Sequence, residues 1–460
     1  MKVLLVKPGN LSDHIQPSLG LGYIAAQIRQ NHNVKIVDCI KDKLTGDQIR
    51  PVLEEFQPDL VGSQCYSMDL PNVKLILQTV KSFNKNIITI VGGAHPTALP
   101  NETMDFLGSD LLDFVFVGEA EIGFPKFLTV LEADRQNDFS EVPGLCWKEN
   151  GVLRINQKEP VEDLGSIGIP AWDLLKPDSY PFSPHGVVCM NYPIAPVMAT
   201  RGCPYKCTFC TTSGSMLRKR PIESIIKEVK LLYDQYGIRE FHMVDDNFTM
   251  DMDYAKQLLL SIIELNIDAT WATPNGIRLD RVDKRILELM KDAGFYSISF
   301  GVESGSERIR KKMRKGSTTE KVRKDLELVK EVGGIDMTGF FMLGFPGETR
   351  EDIEMTLRFS RELPLQRATF HAFIPLPGTE VWEEMANTGE LARVDWENYF
   401  FWAGAYIPQG LTHKELKNLH RKAFMLFYLR PRIIFQNLKY ILKPRVLWYA
   451  IRYLFRRIKS

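Results

Sequence analysis

The stretch Arg201-Gly202-Cys203-Pro204-Tyr205-Lys206-Cys207-Thr208-Phe209-Cys210 places three cysteines in the spacing C-x3-C-x2-C. It follows Val197–Thr200, which reads as a strand, so the cysteines sit on a loop at a strand's carboxyl end. Three thiolates on one loop can hold three irons of a cubane cluster and leave the fourth iron open to a ligand. A structural zinc normally takes four protein ligands, and Cys189, the nearest other cysteine, is not spaced as a fourth partner. Three merely buried cysteines are the remaining reading. Cys39, Cys65, Cys146 and Cys189 are scattered, and an odd total of 7 in 460 residues is no secreted disulfide framework.

Working outward, strand-like runs recur at Glu240–Val244, Thr270–Thr273, Ser297–Gly301, Met337–Leu343 and Thr369–Phe373, with helical patterns such as Ile222–Tyr236 and Thr319–Val332 between them. Six strand-helix units predict a partial (β/α)6 TIM-type barrel whose active site lies on the carboxyl edge. The segments at successive strand ends are Val244-Asp245-Asp246-Asn247, Gly301-Val302-Glu303-Ser304-Gly305, Gly344-Phe345-Pro346-Gly347-Glu348 and Pro375-Leu376-Pro377-Gly378-Thr379. Asp245 or Asp246 could equally cap the following helix.

Residues 1–130 alternate in the same way, with strands at Lys2–Val6, Val34–Val37, Leu60–Ser63, Ile87–Val91 and Phe114–Val117, and helices at Leu19–Gln30, Gly46–Phe56 and Val73–Phe83. This is α/β patterning for a doubly wound parallel sheet, which binds ligands at the carboxyl ends of its strands. Ser63-Gln64-Cys65-Tyr66, Gly92-Gly93-Ala94-His95-Pro96 and Gly118-Glu119-Ala120-Glu121 fall there. Residues 140–195 are rich in Pro and Gly and predict a linker with a small hairpin at Glu149-Asn150-Gly151.

The cysteine triad, with aromatic Phe209 before its last member, and the ordered strand-end motifs resemble radical SAM enzymes over residues 195–385. The resemblance implies that Cys203, Cys207 and Cys210 are catalytic and bind a 4Fe-4S cluster. The open iron would chelate S-adenosylmethionine (SAM), whose cleavage yields a 5′-deoxyadenosyl radical. Asp245 or Asp246 would accept hydrogen bonds from the SAM ammonium. Glu303 would bind the ribose hydroxyls or the ammonium, with Ser304 nearby, and Gly344 would let the adenine lie against backbone.

The preceding domain resembles the cobalamin-binding domain of class B radical SAM enzymes, extending the likeness to residues 1–385. It implies that the cobalamin tail threads between strands past Ser63, Tyr66, Gly92 and Gly93, near His95, Pro96, Gly118 and Glu119, while the corrin faces the cluster. The D-x-H-x-x-G ligand motif of the wider cobalamin family is missing, and Asp13-His14 has the wrong spacing. Base-off cobalamin without a protein imidazole is the expectation, with His95 as the alternative axial ligand. The implied reaction is methylation of an unactivated carbon. Alternatives are oxidative cyclisation or rearrangement without methyl transfer, and a non-catalytic cobalamin sensor.

The implied domains are 1–140, a Rossmann-like cobalamin-binding domain; 141–194, a linker; 195–385, the barrel; and 386–460, a helical C-terminal region. Overall, 58 Lys+Arg nearly balance 57 Asp+Glu, with 44% apolar and 25% charged residues, which excludes disordered and collagen-like classes. The balance hides an asymmetry: Leu411–Ser460 holds 13 basic residues and one acid, Glu415, interleaved with nine aromatics. Leu447, Ile451, Leu454 and Ile458 form one helical stripe. A basic amphipathic tail reads as a peripheral membrane element, which would favour a lipid-like substrate, or as a surface packed on the acidic remainder of the chain. Nucleic acid ranks behind both, since no recognition module accompanies the tail. No apolar run is long enough to span a bilayer, and Met1–Val6 is too short for a signal-peptide core, so the expected location is cytoplasmic, peripheral at the inner membrane face where the tail binds. The expected partners are an organic substrate and an electron donor of the flavodoxin or ferredoxin kind.

Overall fold

The computed structural model describes residues 1–10, 15–133, 138–182, 189–401 and 404–441. The chain divides into two units, Met1–Pro181 with Arg218–Ser224, and Phe182–Leu217 with Ile225–Ser460.

The first unit is built on seven strands: β1 Lys2–Lys7, β2 Asn33–Asp38, β3 Leu60–Gln64, β4 Ile88–Gly92, β5 Phe114–Phe116, β6 Leu145–Glu149 and β7 Val152–Ile155. Their order is β2-β1-β3-β4-β5-β6-β7, parallel through β5. The alternating side chains of β1 explain the double winding. Val3 and Leu5 join one apolar cluster with Leu21, Ala25 and Ile28 of the helix Leu19–Ile28. Leu4 and Val6 join another with Ile76 and Val80 of the helix Leu70–Phe83. Each fully buried Leu or Val of this kind contributes about 1.5–3 kcal/mol. Strand order reverses at β1, creating a crevice at the carboxyl ends of β1 and β3.

The hairpin expected at Asn150 forms, with positive φ at both Asn150 and Gly151 as its two-residue turn requires. It is part of the first sheet: β6 and β7 extend it antiparallel, with Cys146 beside Val115. Pairing, rather than local periodicity, draws this Pro- and Gly-rich stretch into the fold.

The second unit carries six parallel strands: β8 Ile194–Val197, β9 Glu240–Met243, β10 Thr270–Ile277, β11 Phe295–Glu303, β12 Asp336–Leu343 and β13 Arg367–Ala372. They stand in sequential order without reversal, the arrangement of a partial barrel. The first strand lies earlier than the expected Val197–Thr200. The N–H groups of Ala199 and Thr200 donate to the Asp245 carboxylate instead of continuing the ladder.

Beyond the barrel, the helix His413–Tyr428 starts with a Thr412/Glu415 capping box and buries Leu416, Leu419, Ala423 and Phe427. Its Tyr428 hydroxyl pairs with both backbone groups of Ala368, which fastens the helix beside β13. The helix Pro431–Ile441 follows. The stripe Leu447–Ile458 lies outside the described residues, as do Asp13 and His14.

Candidate active site

The cysteine loop leaves β8 at the carboxyl edge and is held there by two carboxylates from the end of β9. Buried Asp245 accepts hydrogen bonds from the Ala199 N–H (3.0 Å), the Thr200 N–H and the Thr200 hydroxyl (2.7 Å). Asp246 accepts the Gly202 N–H (2.8 Å). Neither caps the next helix; Asp251 does. Gly202, at φ +92°, has no room for a side chain, since a Cβ would stand 2.1 Å from the Met216 carbonyl oxygen. The loop then closes on itself through Cys203 N–H to Ser215 Oγ (2.9 Å) and Gly214 N–H to the Tyr205 carbonyl (2.8 Å).

Cys207 is buried, while Cys203 and Cys210 are partly open. Burial pushes the thiols of Cys203 and Cys207 up, and the neighbouring cysteines push further in the same direction. Lys315 and Arg278 oppose this at Cys207 by favouring its thiolate. Three cysteines on one hydrogen-bonded loop, with the charges of Lys315 and Arg278 reaching the buried one, fit a cluster that has three protein ligands. Phe209 is partly buried against Phe345, with ring centroids 6.5 Å apart.

Arg278 stacks on the Tyr205 ring, 3.5 Å from its centroid, and is held by Asp280 at 2.9 and 3.0 Å. Lys315 pairs with Glu303 at 2.9 Å. Glu303 ends β11 at φ +64°, a strained conformation for a residue with a side chain. Buried Arg310 stabilises it by donating to the carbonyls on either side, Val302 (2.5 Å) and Ser304 (3.0 Å). Ser304 is buried, with its hydroxyl 3.1 Å from that of Thr356.

Gly344, at φ +85°, faces Leu416, whose side chain would lie 3.1 Å from an added Cβ. Its N–H and that of Phe345 donate to Glu348 at 2.5 and 3.1 Å. Arg278, Arg310 and Lys315 were not singled out from the sequence. For two of them a signal was available in the basic run Arg308–Lys315, which begins five residues after Glu303.

In the first unit, Ser63 is buried near the end of β3 and Tyr66 is half-exposed just beyond it. Gly92 ends β4, with nothing nearer than 3.5 Å to an added Cβ, whereas Gly93 packs against the Cys65 backbone. His95 and Pro96 are buried in the short helix Ala94–Ala98, with His95 Nδ1 2.9 Å from Ser67 Oγ. Burial holds the His95 pKa down, so the neutral imidazole prevails. The Gly118 N–H donates to Thr97 Oγ1. Glu119 receives Arg218 at 2.7 Å on each oxygen and the Val161 N–H at 2.7 Å, an internal clamp of this unit. The half-exposed Tyr66 and the open face of Gly92, at the carboxyl ends of adjacent strands, fit a flat, bulky cofactor.

Two buried carboxyls make stability depend on pH. Burial pushes Asp245 up to about 7 and Glu348 up to about 8, against the hydrogen bonds they accept. Unfolded, both ionise near pH 4. Folding therefore binds protons between about pH 4 and 8, and the stability present below that window is lost as pH rises through it. In iron-free protein the melting temperature is expected to fall from pH 5 to 8, less steeply in Asp245→Asn. Asp245→Ala leaves the donors of Ala199 and Thr200 unpaired, at about 1–3 kcal/mol each, and is expected to lower iron uptake as well. Equal melting curves for wild type, Asn and Ala would overturn this account.

The radical SAM superfamily model matches residues 197–360 and the B12 binding domain model matches residues 10–128. An uncharacterized methyltransferase of Pyrococcus horikoshii is 32% identical over 95% of both chains. The cytidylyl-2-hydroxyethylphosphonate methyltransferase of Streptomyces wedmorensis is 31% identical over 84% of this chain and 82% of its own. Among solved structures, the radical S-adenosylmethionine methyltransferase TsrM of Kitasatospora setae has the same fold, with a TM-score of 0.68 at 18% identity over 84% of this chain and 76% of that one.

Proposed function

This chain belongs to the cobalamin-binding radical SAM enzyme family, and on that premise we propose that it methylates an unactivated carbon of an organic substrate. The observation that carries the reading is the three-cysteine loop at the barrel's carboxyl edge, in a chain that also has a doubly wound domain whose strand order reverses at β1. The methyltransferase relatives, similar over more than four-fifths of both chains, support it. When bound, the cluster with SAM supplies a carbon radical and cobalamin supplies a methyl group.

The residues of this chain do the rest. Cys203, Cys207 and Cys210 hold the iron, with Asp245 and Asp246 fixing their loop. Arg278 and Lys315 offset the negative charge of the thiolates. Glu303, clamped by Arg310, offers carboxylate oxygens for the SAM ammonium or ribose, with Ser304 and Gly344 on neighbouring strand ends. Phe209 shields the loop from water. Ser63, Tyr66, Gly92, Gly93, His95, Pro96 and Gly118 line the cobalamin side, and the Arg218 clamp on Glu119 fixes the end of that edge.

Anaerobically reconstituted protein supplied with candidate substrates tests this. A methyltransferase forms 5′-deoxyadenosine and S-adenosylhomocysteine in roughly equal amounts, because a second SAM restores the methyl group. A cyclase or rearrangement enzyme forms no matching S-adenosylhomocysteine, and a sensor forms neither product.

No helix among the described residues is long and apolar enough to cross a membrane. We propose a peripheral membrane contact through the basic C-terminal region, Leu411–Ser460. Met425, Leu429, Ile434 and Phe435 are exposed there, Leu429 and Phe435 by 70% and 73%, beside Arg421, Lys422 and Arg432. A lipid-like substrate is consistent with that surface. Vesicles containing phosphatidylglycerol are expected to bind the protein at low salt and release it as salt rises, since each cation contributes about 1 kcal/mol near the surface. Deleting Lys443–Ser460 should weaken sedimentation with vesicles and spare SAM cleavage. Full-length protein that ignores such vesicles would remove the membrane contact and the case for a lipid.

A further inference from the structure

We propose that Cys189, Glu240 and His242 form a zinc site at the amino edge of the second sheet, separate from the cysteine loop. Glu240 and His242 are two residues apart on β9, so their side chains leave the same face of a rigid strand. All three residues are buried, and one ligand atom from each lies within 4.8 Å of the other two.

The carboxylate divides its two oxygens between positioning and binding. Oε2 accepts the N–H groups of Met190 (2.7 Å) and Asn191 (2.6 Å), which fixes the segment that carries Cys189. Oε1 lies 2.9 Å from His242 Nε2 and accepts the Tyr296 hydroxyl at 2.8 Å. The Met190, Asn191 and Tyr296 contacts are outer contacts of the kind that orient metal ligands, while the Glu240–His242 contact joins two of the ligands and gives way to the metal.

Zinc bonds of about 2.3 Å to sulfur and 2.0 Å to nitrogen or oxygen hold tetrahedral ligands roughly 3.3–3.6 Å apart. The longest edge, within 4.8 Å, therefore shortens by up to about 1.3 Å, and the 2.9 Å Glu240–His242 edge opens by about 0.4 Å. Sulfur, imidazole and carboxylate together select zinc over the hard, oxygen-seeking magnesium and calcium. Binding releases the thiol proton to solvent, and the thiolate and carboxylate then cancel the charge of Zn2+. The buried site is thus neutral, which removes the penalty of enclosing a bare carboxylate. Three protein ligands are one fewer than a structural zinc normally has, and water completes the fourth position. Strands of such barrels carry their chemistry at the carboxyl edge, so an amino-edge metal serves stability by fastening the Cys189 segment to β9.

The test uses the full chain with Cys203, Cys207 and Cys210 replaced by Ala, stripped with chelator and titrated anaerobically with Zn2+ and with Co2+. The expected result is about one zinc per chain and, with cobalt, a near-ultraviolet thiolate charge-transfer band. Adding Cys189→Ala should weaken binding by at least about tenfold with the circular dichroism spectrum unchanged. If the triple variant fails to fold, zinc is measured against iron in iron-loaded wild type and in Cys189→Ser, where zinc alone should be lost. Absence of zinc binding, or a cobalt band or zinc content that survives the loss of Cys189, overturns the proposal and leaves a hydrogen-bonded Glu240–His242–Tyr296 network.

Discussion

Replacing any one of Cys203, Cys207 and Cys210 by Ala is expected to cut SAM cleavage to below about 1% of wild type, because each change removes a thiolate ligand from iron. Iron and acid-labile sulfide, measured after anaerobic reconstitution, should fall in parallel. Cys39, Cys65 and Cys146 are buried in the first unit, and their replacement should leave iron unchanged. Gly202→Ala provides a control that touches no ligand: its Cβ would collide with the Met216 carbonyl oxygen, and its N–H would be pulled from Asp246. It should lose cluster content as well. Unchanged iron and sulfide in the triple Ala variant would sink the cluster assignment.

Cobalamin uptake is expected to disappear in Gly92→Leu while iron uptake persists, since the two sites belong to different units of the chain. Gly92 and Gly93 behave differently here. A Cβ at Gly92 meets Phe116 at an ordinary 3.5 Å, so a larger side chain extends from the strand end without breaking the sheet. At Gly93, φ is +118° and a Cβ would stand 2.8 Å from the Cys65 carbonyl oxygen. Gly93→Ala should therefore destabilise the first unit by about 1–3 kcal/mol, visible as a lower melting temperature even without cofactor. Absorption of the bound corrin after reconstitution, in the base-off form, measures the effect. Full cobalamin loading of a folded Gly92→Leu variant would count decisively against the open edge as the binding face.

Several features were legible without coordinates because they are local. The C-x3-C-x2-C spacing of Cys203, Cys207 and Cys210 singles out one loop, and the alternation of apolar runs with amphipathic stretches marks out both parallel sheets. Asn150-Gly151 announces its hairpin through backbone preference alone. What that hairpin pairs with was not legible, since strand pairing depends on partners far away in the chain. The same holds for Asp245 and Asp246. Their adjacency was visible, but a helix cap and a cofactor contact were the only roles local reasoning offered. The parallel register of β8 and β9 turns them back onto a loop 44 residues earlier.

The sequence by itself determined the spacing of the three cysteines, the strand-helix alternation and the order of the strand-end motifs, because spacing and periodicity are properties of neighbouring residues. Only the tertiary structure decided that Arg310 clamps both sides of Glu303, that Arg278 and Lys315 stand beside Cys207, and that Cys189 meets Glu240 and His242. Those encounters depend on how strands align and loops close across tens of residues, where hydrogen-bond partners are chosen by register and burial rather than by distance along the chain.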